Sequence, residues 1–192
     1  MTILLTAYGP LAPERVEAVP GRVEVRPADP HSVRSVPQAD RLPAPPRAGG
    51  VGSPIAGLTP KDLHDSFAEK RDGRVHEAID IMAPRGTPVF AVDSGTIRKL
   101  FTSKSGGFTV YQFDDDEVYC YYYAHLDRYA PELSEGKAVQ SGDLIGYVGS
   151  SGNASPNAPH LHFAIFLLGP EKRWWEGKAI NPYPILIHAL KK

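Results

Sequence analysis

The chain is poor in the residues that carry disulfide or thiol chemistry. Cys120 is its single cysteine among 192 residues, so no intramolecular disulfide can form and the redox compartment stays open. That cysteine lies within Val118-Tyr119-Cys120-Tyr121-Tyr122. A reactive thiolate sits at a helix N-terminus or beside a cation, so Cys120 reads as a small buried hydrophobe rather than a nucleophile paired with His125. No apolar run approaches the ~20 residues that span a bilayer. Nor is either charge in excess: 21 basic against 22 acidic residues leave a net charge of −1. That balance makes no electrostatic case for nucleic acid or an anionic membrane surface. The one acidic run, Asp114-Asp115-Asp116-Glu117, reads as a solvated hairpin turn, since it lacks the spaced oxygen ligands and glycine of a calcium loop.

Proline, by contrast, is plentiful near the start. From Pro10 to about Gly50 prolines are dense, including Pro43, Pro45 and Pro46, and aromatics are few. Such a stretch buries too little apolar surface to offset its ordering entropy, so residues 1–50 are expected to form an extended arm and residues 51–192 the folded domain. Ile3-Leu4-Leu5-Thr6-Ala7-Tyr8 is apolar but short, lacks a basic flank and soon meets Pro10, which does not make a convincing signal peptide. Thr59 and Pro60 read as the N-cap and first residue of a short helical turn. Beyond them, strands are expected at about 79–82, 88–92, 95–101, 108–113, 118–125, 144–148 and 161–168. Turn signals at Asp93-Ser94-Gly95 and Ser105-Gly106-Gly107 punctuate the pattern. Residues 184–190 carry helix-like or strand-like apolar content. The fold class is therefore mainly β, an antiparallel sheet or sandwich with few short helices.

Histidine is the most informative residue type. His160-Leu161-His162 opens the apolar run Phe163-Ala164-Ile165-Phe166-Leu167-Leu168, and residues two apart on a strand share a face. Upstream, His76 and Asp80 stand four apart, and His125 ends the aromatic run Tyr121-Tyr122-Tyr123-Ala124. His31, His64 and His188 have no such neighbours and read as surface or hydrogen-bonded histidines. A catalytic zinc site takes three protein ligands and leaves a fourth position for water. His76, Asp80 and His162 could supply that set, with His125 and His160 unbound but close. Two neutral imidazoles and one carboxylate suit zinc's borderline softness, although spacing alone does not decide the assignment.

Three segments carry a resemblance that goes further. His76-Glu77-Ala78-Ile79-Asp80-Ile81-Met82-Ala83-Pro84-Arg85-Gly86-Thr87-Pro88-Val89 is similar to the first signature of the LytM/lysostaphin-type zinc endopeptidases. Tyr123-Ala124-His125-Leu126 resembles the second signature. Gly146-Tyr147-Val148-Gly149-Ser150-Ser151-Gly152, followed by Pro159-His160-Leu161-His162-Phe163, resembles the third. The likeness runs from about Val51 to Pro184. Two positions depart from the pattern: Ala78 stands where the family usually has glycine, and Ala164 where an acidic residue often follows the last histidine. Neither is a ligand position, and both read as variation that bears on substrate fit.

The resemblance implies the duplicated hybrid motif fold, with one Zn²⁺ on His76, Asp80 and His162 in a groove across the sheet. It implies hydrolysis of peptide bonds in bacterial peptidoglycan stems or cross-links, by water whose pKa falls toward ~7 on such a metal, from 15.7 in bulk. His125 and His160 would then act as general base and oxyanion donor, in an order the sequence leaves open. A monomer in the periplasm or outside the cell is expected, with peptidoglycan peptides as partners and neither nucleic acid nor a transmembrane segment. Three other readings compete. An inactive relative that activates a cell-wall amidase would typically have lost ligands that this chain keeps. A phosphocarrier of the same fold would not need Asp80 beside His76. A non-enzymatic wall-binding module would not need the metal.

Overall fold

The computed structural model describes residues 51–71 and 73–191. The proline-rich arm expected over 1–50, with its His31, lies outside the described residues. Among those described, a 3₁₀ turn at Pro60–Asp62 comes first, with the Thr59 backbone N–H and hydroxyl both donating to the Asp62 carboxylate at 2.8 and 2.6 Å. A small hairpin follows, β1 (Lys70–Arg71) with β2 (Arg74–Val75). The main sheet contains β3 (Ile79–Met82), β4 (Pro88–Phe90), β5 (Gly95–Ser103), β6 (Gly107–Asp114), β7 (Tyr119–Tyr129), β8 (Ala138–Val139), β9 (Leu144–Val148), β10 (His160–Leu168) and β11 (Gly177–Ile180). One helix, α1 (Pro182–Ala189), ends the described chain, with Asn181 as N-cap accepting from the Tyr183 N–H at 2.9 Å. The ambiguous apolar stretch near 184–190 is thus helical.

All pairings in the nine-stranded sheet are antiparallel, in the order β11-β10-β7-β6-β5-β8, with β3, β9 and β4 on branches. This is the antiparallel architecture the alternation predicts. The short β1, β2, β8 and β11 were not anticipated, because two to four residues carry too little periodicity to register. The acidic run forms the β6–β7 turn, where the Asp114 carboxylate accepts from the Val118 and Tyr119 N–H groups at 2.8 and 2.7 Å.

The long strand β10 organises the site. Its Leu161, Phe163 and Ile165 are fully buried, packing with Ile79, Ile81, Tyr121, Tyr123 and Leu186. Burying each such side chain contributes roughly 1.5–3 kcal/mol, which pins the register, since a one-residue slip would turn the whole set outward. The alternate positions His160, His162, Ala164 and Phe166 must then line the opposite face. On one edge β10 pairs first with β3 and then with β11; on the other it pairs with β7. Cys120 lies buried on β7, as its apolar context suggests, and burial pushes its thiol pKa up.

Candidate metal centre and active site

Register brings the ligand candidates together. His162 on β10 lies directly opposite Asp80 on β3 and Ala124 on β7, and directly opposed side chains in a sheet are within reach of each other. His76 precedes β3 and is folded back by Glu77, whose φ is 56°. The N–H groups of His76 and Glu77 donate to the Glu69 and Phe67 carbonyls, both at 2.9 Å. The departure at Ala78 therefore carries no strain: the left-handed residue is Glu77, and the Ala78 methyl is buried.

Three donor atoms converge. His76 Nε2 lies 3.1 Å from His162 Nδ1, His162 Nδ1 lies 3.0 Å from Asp80 Oδ1, and His76 Nε2 lies 3.2 Å from Asp80 Oδ1. Ligands bound at ~2.0 Å in tetrahedral geometry stand about 3.3 Å apart, so this triangle fits a four-coordinate ion with little adjustment. Among the described residues, these three form the one His/Asp group close enough to hold a metal. The donor chemistry agrees, because the His76 Nδ1–H donates to the Ser66 carbonyl at 3.1 Å. That bond leaves the Nε2 lone pair facing the triangle and orients the ring from outside it, as metal-ligating histidines require.

Burial pushes the Asp80 carboxyl pKa up, but the neighbouring His162, His76 and Arg71 side chains outweigh it and hold it well below the usual range. Asp80 is therefore ionised. Its second oxygen is held by Arg71 Nη1 at 2.6 Å, and the same nitrogen lies 3.1 Å from His76 Nε2. Arg71 is held in turn by Glu69 at 2.8 Å. Burial lowers the His162 pKa against the opposing pull of Asp80.

His125 and His160 flank this triangle, with ring centroids 5.0 Å apart and His125 5.5 Å from His162. Strict alternation would turn His125 into the core. A β-bulge intervenes, because Val110 pairs with Tyr123 but Phe108 pairs with Leu126, and His125 takes φ 58°. Such left-handed non-glycine residues cost about 1–3 kcal/mol and gather at functional sites. The His125 Nδ1–H donates to the Ser151 carbonyl at 2.8 Å, and the His160 Nδ1–H donates to the Ala158 carbonyl at 2.8 Å. Both Nε2 atoms are left toward the cleft, His160 Nε2 at 3.8 Å from Asp80 Oδ1. Burial pushes the His125 pKa down to about 4, with the other histidines adding to the fall and the Ser151 carbonyl opposing it. His125 is thus neutral at neutral pH.

The Ser151 carbonyl is itself held by interlocked loops. Gly152 has φ +74°, and a Cβ there would lie 2.3 Å from the Ser105 carbonyl oxygen and 2.4 Å from the Gly107 nitrogen. The Ser151 hydroxyl donates to the Leu126 carbonyl at 2.6 Å and accepts from the Phe108 N–H at 3.0 Å. The Ser-Ser-Gly of the third signature is therefore scaffolding for His125.

All five polar residues singled out by sequence meet in one cleft, whereas His64 pairs at the surface with Glu69 and His188 is exposed. Sequence reasoning missed Ser66, Ser151 and Arg71. The serines act through backbone carbonyls, which leave no trace in residue identity. Arg71 sits on a hairpin too short to show a pattern.

A His-Asp-His triangle able to hold a metal, with two further imidazoles beside it on an antiparallel sheet, is the arrangement of a candidate metal-dependent active site. The chain belongs to Peptidase family M23, whose family model matches residues 74–182. It is 33% identical over 118 residues to the L-Ala--D-Glu endopeptidase of Bacillus subtilis, covering 59% of this chain and 35% of that protein. It is 30% identical over 115 residues to the peptidoglycan DD-endopeptidase ShyC of Vibrio cholerae, covering 60% of this chain and 25% of that protein. This chain therefore spans only about a third or less of the curated relatives it matches. Among solved structures it resembles the catalytic domain of the antimicrobial peptidase lysostaphin from Staphylococcus simulans. That likeness has a TM-score of 0.52 and 30% identity, and covers 71% of this chain and 88% of the other.

Proposed function

We propose that this protein is a zinc-dependent endopeptidase that cleaves peptide bonds in peptidoglycan stems or cross-links. The observation that carries the reading is the triangle of His76 Nε2, Asp80 Oδ1 and His162 Nδ1 with sides of 3.0–3.2 Å. Bound there, one Zn²⁺ would supply Lewis acidity, lowering the pKa of water and polarising the scissile carbonyl. The residues do the rest. Arg71 holds Asp80 so that one oxygen faces the histidines. His125, neutral and with Nε2 bare, accepts the proton of the attacking water at that atom. His160, its ring oriented by the Ala158 carbonyl at Nδ1, turns Nε2 toward the cleft and, when protonated at that atom, donates a hydrogen bond to the developing oxyanion. Such a base contributes ~10²–10⁴-fold and such a donor ~10²–10³-fold. The name of one relative, a peptidoglycan DD-endopeptidase, supports peptidoglycan as the substrate. A cell-wall substrate places the protein in the periplasm or outside the cell, and no helix among the described residues is long and apolar enough to cross a membrane. Residues 51–192 would act as the catalytic domain and 1–50 as its arm.

The test is digestion of purified cell walls by the zinc-loaded protein, with products read by mass spectrometry. New amino termini are expected without new reducing sugar ends, since glycan cleavage typically uses paired carboxylates. A chelator should stop release, and zinc should restore it. A protein that binds zinc yet releases nothing, but stimulates an added amidase, would instead be an activator.

A further inference from the structure

The sheet face that carries His160 and His162 continues beyond them. Along β10 it presents Ala164 and then Phe166, because residues two apart share a side. Register sets Ala164 beside Tyr122 of β7, and Tyr122 beside Tyr111 of β6. The β10–β11 connection brings Trp174, Trp175 and Glu176 against the same place. Tyr111, Tyr122, Phe166, Trp174, Trp175 and Glu176 line a cavity of about 270 Å³, close to the lower end of ligand pockets at roughly 300–1,000 Å³. It suits one side chain.

The rings form a box rather than a platform. Tyr111 meets Tyr122 at 47° and Trp174 at 69°, with centroids 4.7 and 4.8 Å apart. Trp174 meets Trp175 at 80° and 5.3 Å, and Tyr122 meets Phe166 at 58° and 6.3 Å. The one charged side chain lining the box is the Glu176 carboxylate. Its partner is Arg173 Nη1 at 3.2 Å, and both side chains are at least half exposed, so the pair is weak and open to exchange. Tyr122 joins the box to the metal centre, with its ring 6.0 Å from His162. Ala164 keeps the floor between them low. An acidic side chain at that position would stand between His162 and Phe166.

We propose that this box is a specificity subsite for the side-chain ammonium of a basic residue in the peptide substrate, such as a diamino acid carries. Five aromatic side chains line the cavity, ring faces attract a cation, and Glu176 supplies the countercharge. A sugar would need one broad exposed face, and an aliphatic side chain would need no carboxylate. His162 and Phe166 are four residues apart on β10, about 13 Å at the ~3.3 Å rise of a strand. An extended substrate rises similarly, so the basic residue would lie some two to four positions from the scissile bond. This assignment rests on the peptide-hydrolase reading above.

Both of the chain's tryptophans are in the box, so intrinsic emission reads it directly without turnover or metal. The full chain is titrated with a short acetylated lysine peptide, its ε-N-acetyl-lysine and norleucine counterparts, and an N-acetylglucosamine disaccharide. The lysine peptide should shift tryptophan emission saturably, and both neutral counterparts should bind at least fivefold more weakly. Glu176→Gln, which keeps both tryptophans, and Trp175→Ala, at an exposed position, should each weaken the lysine peptide threefold or more. Equal binding of norleucine, a response to the disaccharide alone, or no response at all would overturn the proposal. Failure here with intact cell-wall digestion removes only the subsite. Lysine binding by a protein that cleaves no peptide removes only the hydrolase reading.

Discussion

His76 Nε2 and His162 Nδ1 face each other at 3.1 Å, although 86 positions separate the two residues. The first nitrogen is bare, because the opposite nitrogen of His76 donates to Ser66. In the absence of metal, one proton on His162 Nδ1 satisfies both His76 and Asp80. In place of that proton, His76 Nε2, Asp80 Oδ1 and His162 Nδ1 would hold a metal ion.

Removing a corner of the triangle should therefore remove the metal. Elemental analysis should find close to one zinc per chain in the unaltered protein and almost none in His162→Ala or Asp80→Ala. Undiminished zinc in either variant would break the ligand assignment.

The flanking histidines should behave differently. His125→Ala and His160→Ala should keep their zinc while turnover falls by about 10²–10⁴-fold, chiefly in kcat because both act on the transition state. Loss of metal from one of them would make that histidine a ligand instead.

The protonation of His125 predicts a stability profile for the metal-free protein. Its pKa is about 4 in the fold against an ordinary 6.5. Between those values the unfolded chain binds a proton that the folded chain refuses, so stability falls as pH drops from about 6.5 to about 4 and is fully present above 6.5. A shift of this size corresponds to about 3 kcal/mol, and the lowered pKa of His162 acts in the same direction. Urea melts across this range should show the decline, with a shallower slope in His125→Gln. Asp80 acts in a separate window, since its depressed pKa costs stability only below its ordinary 3.8.

Gly152→Ala should destabilise by about 2 kcal/mol or more, because it combines a left-handed backbone with a Cβ pressed on two backbone segments. It should also lower kcat by loosening the Ser151 carbonyl that orients His125. Denaturant unfolding and zinc content separate these effects, and zinc should stay bound.

A shortened chain starting near Val51 should fold and bind zinc like the whole. If the proline-rich sequence forms the expected arm, limited proteolysis should cut before residue 50 first. Resistance of that stretch, or collapse of the shortened chain, would make the arm part of the fold.

The local pattern of residues determined much of this protein. Alternation across Leu161, Phe163 and Ile165 requires a strand with one buried face, and that alone commits His160 and His162 to the other. Seven of the strands and the acidic turn follow from the same periodicity, and the signature segments single out the five cleft residues. Tertiary structure decided what depends on partners distant in sequence. Only the β3–β10 register sets Asp80 opposite His162, and only the bulge at His125 turns that ring out of the core. Backbone carbonyls from Ser66, Ser151 and Ala158 set the histidine tautomers, and no side-chain pattern encodes a carbonyl's direction. The aromatic box likewise assembles rings from three strands and a connection, far apart in sequence. Local periodicity states which face a side chain takes, and long-range pairing alone states what it meets there.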